Sequence, residues 1–90
     1  MAAVNRINRE LERGIDAKVI KFDETLLLLE VSVNNISVEI IFTDRYPFHP
    51  PFARCVGEYI NLPILRPDIW KPSDRINNII QAITTVTPLD

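Results

Sequence analysis

The sequence predicts an α+β domain: an N-terminal helix, an antiparallel meander sheet, a proline-rich flap and a C-terminal helix in two layers. Three observations carry this prediction. Apolar residues recur at helical spacing near both ends, two runs of β-formers are joined by Asn34-Asn35, and six of the seven prolines lie between Tyr46 and Pro72. With 90 residues, 47% of them hydrophobic and only two glycine, the chain reads as a single domain over residues 1–90. A core this small implies marginal stability.

Val4, Ile7 and Leu11 are spaced as one face of a helix over residues 2–13, with Arg6, Arg9 and Arg13 on a different stripe and Gly14 positioned to end it. Strands are expected at Val19-Ile20-Lys21-Phe22, at Leu26 to Val33 and at Ile36 to Phe42, with a turn at Asp23-Glu24. Asn34-Asn35 predicts a tight hairpin, because asparagine tolerates the positive φ such turns need. Between Tyr46 and Pro72 the prolines remove backbone donors and forbid regular helix. That segment therefore reads as ordered loop with one short strand around Phe52 to Val56. Ser73 or Asp74 is the expected N-cap of a final helix with Ile76, Ile79, Ile80 and Ile83 on its apolar face.

A formal net charge of −2 argues against a nucleic-acid partner, which selects a basic stripe. The longest strictly apolar run, Leu26 to Leu29, is far too short to span a bilayer, so no membrane partner is expected. One cysteine excludes an intramolecular disulfide, and no apolar segment precedes a small-residue cleavage site, which together predict a soluble protein of the cytosol or nucleus. Cys55 and His49 are each unique in the chain and have no third ligand in register. Neither a metal ion nor any other cofactor is therefore expected.

Three segments carry chemistry by their order. Tyr59 to Ala82 contains Asn61-Leu62-Pro63-Ile64-Leu65 followed by Trp70-Lys71-Pro72; upstream, Phe42 to Pro51 contains Tyr46-Pro47-Phe48-His49-Pro50-Pro51; and the chain opens on MAAVNRINRELE. Together they resemble the ubiquitin-conjugating (E2) enzyme family, with asparagine where that family has its nucleophilic cysteine. The nine positions from Asn61 to Trp70 are similar to the branch that serves cysteine-type ligases, HECT and RING-between-RING. Only nine residues separate Pro51 from Asn61, leaving no room for the family's His-Pro-Asn motif, and the chain stops at Asp90 without counterparts to two C-terminal helices. The resemblance thus implies a shortened UBC-like fold.

A conjugating enzyme holds its modifier as a thioester, which needs a nucleophile that ionises near neutral pH. A carboxamide does not, so the resemblance implies a catalytically inactive protein, a pseudoenzyme with Asn61 as its vestigial site. By the same resemblance a ligase would meet Arg6 and Arg9 on the first helix, Phe48 in the proline loop, and Lys71, Pro72 and Ser73 after the tryptophan. Phe48 could instead pack under the flap, and the arginines could form a solvated face bridged by Glu10 and Glu12. Trp70 is expected to anchor loop to helix, and Cys55 to be a buried, inert thiol.

Three readings follow. The first is a binding module for a ubiquitin-pathway partner: a ubiquitin ligase (E3), ubiquitin or a ubiquitin-like modifier, or an active E2. The second is a diverged conjugating factor that uses Cys55 or acts with an active partner. The third is a structural subunit, a homodimer or hetero-complex in which another chain covers the place of the missing helices.

Overall fold

Alternation of side chains fixes the sheet. In the computed structural model, which describes residues 2–55 and 58–86, helix α1 (Ala2–Arg13) leads into five antiparallel strands in sequential order. These are β1 (Lys18–Asp23), β2 (Leu28–Val33), β3 (Ile36–Ile41), β4 (Phe52–Cys55) and β5 (Glu58–Ile60). A single 3-10 turn (Pro63–Leu65) and helix α2 (Ile76–Val86) follow. Leu29, Val31 and Val33 of β2 and Val38 and Ile40 of β3 point to one face and are buried, joined by Phe42 just beyond β3 and Ala53 of β4. Ala3 and Ile7 of α1 and Ile76, Ile79, Ile80 and Ile83 of α2 complete the same core. The result is the two-layer α+β architecture that the sequence predicts.

Asn34 and Asn35 adopt φ of 53° and 68° in the hairpin between β2 and β3, as their tolerance of the left-handed region predicts. Gly14, at φ 93°, closes α1, its N–H donating to the Leu11 carbonyl at 3.1 Å. The Asp23 carboxylate accepts from the N–H groups of Thr25 and Leu26 at 3.0 and 3.1 Å, which forms the expected turn. On the outer strand β1 a bulge at Ile20 and the exposed lysines Lys18 and Lys21 discourage pairing with another edge.

Four expectations are corrected. Strand β2 begins at Leu28 rather than Leu26, because Leu27 takes a positive φ of 53° and turns its side chain into the core. The flap holds two strands, since Glu58–Ile60 pairs with β4, and its Leu-Pro segment winds into a 3-10 turn; Val56, expected to extend β4, lies outside the described residues. The fully buried stripe of α1 takes in Ala3 and Glu10 as well as Ile7, with the expected Val4 and Leu11 half-buried and packed against the same core. Finally, neither Ser73 nor Asp74 caps α2. The Arg75 N–H donates to Asn78 Oδ1 at 2.8 Å, the Ile76 N–H donates to Glu10 Oε1 at 2.7 Å, and Asp74 instead closes a turn by accepting from the Lys71 N–H at 2.9 Å.

Candidate functional site

The loop after β3 is built around Tyr46. Its backbone turns back on itself through Phe48 N–H to Arg45 carbonyl (2.8 Å) and Tyr46 N–H to Thr43 carbonyl (3.1 Å), and the Tyr46–Pro47 peptide is cis. The Tyr46 ring is 1% exposed, lies edge-on to Phe42 at 4.6 Å and tilts against Trp70 at 6.1 Å. Trp70 in turn donates its indole N–H to the Pro47 carbonyl at 2.7 Å. That bond ties the proline loop to the segment that follows the 3-10 turn, so Trp70 is an anchor as expected, but between two loop segments rather than between loop and helix. It also brings together the two candidate segments, because Pro47 and Trp70 immediately precede Phe48 and Lys71.

With the loop pinned from beneath, Phe48 faces outward and is 74% exposed. The packing of Phe48 under the flap is thereby excluded. Lys71, Pro72 and Ser73 are exposed as well, on the turn closed by Asp74. His49 is exposed beside Phe48, as its place in the loop implies.

Glu10 is the residue that sequence reasoning missed. Its carboxylate is buried and accepts from the Tyr46 hydroxyl at 2.5 Å, Arg6 Nε at 2.9 Å and the Ile76 N–H at 2.7 Å. One side chain therefore joins α1, the proline loop and the first turn of α2. Three donors and one opposite charge satisfy a carboxylate that would otherwise be costly to bury. Burial first, then the hydrogen bond and negative charge of Glu10, push the Tyr46 phenol well above its ordinary range, so it remains a donor. The available signal was Glu10 at helical spacing from Ala3 and Ile7, on the face that has to be buried.

Arg6 sits over the Tyr46 ring at 5.9 Å and reaches the Pro72 and Asp74 carbonyls at 3.4 and 3.3 Å. It is an internal tie across the base of the candidate surface, its guanidinium occupied by Glu10 and those two carbonyls. Arg9 is exposed and lines, with Arg6, Glu10, Arg13, Ser73 and Arg75, a cleft of about 210 Å³. All six candidate contact residues thus lie around the junction of α1, the proline loop and the turn before α2.

Asn61 is exposed at the end of β5 and lines a cavity of about 410 Å³ with Pro51, Ala53, Tyr59 and Leu62 among others. Cys55 is half-buried rather than buried: it lies at the end of β4, opposite Val38 on one side and Glu58 on the other. Among the described residues no group of three or more histidine, cysteine or acidic side chains is placed to hold a metal ion. No helix there is long and apolar enough to cross a membrane.

No family model matches the chain. It is 30% identical over 112 aligned residues to the ubiquitin-conjugating enzyme E2-18 kDa of Drosophila melanogaster, covering 96% of this chain and 72% of that protein. The aligned stretch is longer than the 90-residue chain, so that protein has residues with no counterpart here.

Proposed function

The chain belongs to the ubiquitin-conjugating enzyme family, and from that premise we propose that it serves the ubiquitin pathway as a catalytically inactive binding module whose partner is a ubiquitin ligase of the HECT or RING-between-RING class. The observation that carries the proposal is Phe48, a large apolar side chain 74% exposed on a loop fastened through Tyr46 to Glu10 and through the Pro47 carbonyl to Trp70. A pre-organised aromatic loses little freedom on docking, and aromatics of this kind dominate binding energy at protein interfaces. The Pro47–Trp70 hydrogen bond brings the residue before Phe48 to the residue before Lys71, and the exposed Lys71, Pro72 and Ser73, with Arg6 and Arg9, make up the rest of the surface offered to the ligase. Inactivity is supported by the chemistry of Asn61, whose carboxamide cannot hold an acyl group for transfer. The proposed site of action is the cytosol or nucleus.

The test is binding of the purified chain to a HECT or RING-between-RING ligase domain by calorimetry. Phe48→Ala should weaken binding by ~2 kcal/mol or more, about thirtyfold, and leave the melting temperature unchanged because the side chain makes no core contact. Unchanged affinity in that variant would remove the proposed surface. One observation favours the second reading, a conjugating factor with a displaced nucleophile: Cys55 is half-buried and not sealed in the core. Native-state labelling of Cys55 by a thiol reagent measures its access.

A further inference from the structure

The cleft between α1 and the turn before α2 carries an excess of positive charge that the fold does not use. It is lined by Arg6, Arg9, Glu10, Arg13, Ser73 and Arg75. Glu10 is its one carboxylate, and its acceptors are already taken by Arg6, Tyr46 and the Ile76 N–H. Arg6 and Glu10 cancel as a pair. The guanidinium groups of Arg9, Arg13 and Arg75 form no ion pair among the described residues, although the chain as a whole is net negative by two.

We propose that this cleft is a binding site for a phosphate-class oxyanion, a phosphomonoester presented by a phosphorylated side chain or as a free ion. A phosphomonoester near neutral pH carries a charge of about −1.5 to −2 and three acceptor oxygens. Three unpaired guanidinium forks around a cleft of about 210 Å³ match that charge and that number of acceptors better than they match a carboxylate, which one fork satisfies. The exposed Ser73 hydroxyl adds a donor at the rim. The N–H groups of Arg75 and Ile76 at the start of α2 already donate to Asn78 and Glu10, so the proposed recognition is by side chains. The site stands on the cleft alone and does not depend on the ligase reading, although Arg6, Arg9 and Ser73 belong to both surfaces.

The experiment is titration of the whole chain, at fixed ionic strength, with a phosphoserine peptide, its unphosphorylated form and inorganic phosphate. Arg9→Gln/Arg75→Gln is compared with a control, Lys18→Gln/Lys21→Gln, that removes the same charge from exposed positions on the outer strand β1, outside the cleft lining. Phosphate-dependent binding that falls about tenfold or more in the arginine variant, and not in the lysine control, is the expected result. Binding should also strengthen as pH rises through about 6, where the phosphomonoester gains its second charge. A phosphopeptide tighter than inorganic phosphate identifies a phosphorylated partner chain as the source; equal affinities identify the free ion. Equal binding of the unphosphorylated peptide, equal loss in the lysine control, or full binding in the arginine variant overturns the proposal.

Discussion

Glu10 and Tyr46 hold the candidate surface together, and their energetics can be measured. Glu10→Ala leaves the Tyr46 hydroxyl, Arg6 Nε and the Ile76 N–H without their acceptor. Removing one partner of such a buried network should cost ~3 kcal/mol or more in urea unfolding; a loss below about 1 kcal/mol would show that water replaces the carboxylate. Tyr46 makes a separate prediction. Its phenol is held above the ordinary range in the folded protein. Below about pH 10 both folded and unfolded chains keep the proton; above it the unfolded chain releases a proton that the folded one retains, so stability falls as pH rises. Tyr46→Phe cannot ionise and should show a shallower alkaline loss than the wild type, measured as unfolding free energy between pH 8 and 11. Glu10 was hard to read in the sequence, because an acidic residue four positions from Arg6 has the pattern of a surface ion pair. Its partners are 36 and 66 residues away, beyond any local pattern.

At the scale of elements, legibility followed periodicity and turn chemistry. The hairpin at Asn34-Asn35 was readable because few residues tolerate two successive positive φ values, and both helices were readable from their apolar spacing. Asn35→Val should therefore cost ~1–2 kcal/mol, the penalty for a β-branched residue in the left-handed region, whereas Asn35→Gly should be neutral or slightly stabilising. Equal stability of the two variants by thermal unfolding would mean that the turn relaxes to another type. The short strand β5 and the 3-10 turn were not legible, since three pairing residues amid prolines read as loop until β4 supplies the ladder. The start of α2 was misread for a similar reason: Ser73 and Asp74 are good cap residues, but Asn78 from within the helix and Glu10 from α1 satisfy those N–H groups first.

At the scale of the molecule, the order of three motifs pointed to the ubiquitin-conjugating family, and the 30% identity across 96% of the chain shows it. The link between the Phe48 loop and the Lys71 segment was legible only through that resemblance; the fold supplies it physically as the Trp70 indole on the Pro47 carbonyl. The cleft charge of Arg9, Arg13 and Arg75 was only half visible, because Arg75 joins the helix stripe through tertiary packing. What separates a binding module from an enzyme is whether any residue of this chain accepts an activated modifier. The decisive measurement is a charging reaction of the protein with activating enzyme, ATP and ubiquitin, resolved with and without thiol reductant, alongside Cys55→Ala. A binding module forms no thiol-sensitive adduct in either protein; an adduct on the wild type that disappears in Cys55→Ala would contradict it and show that the nucleophile has moved to β4.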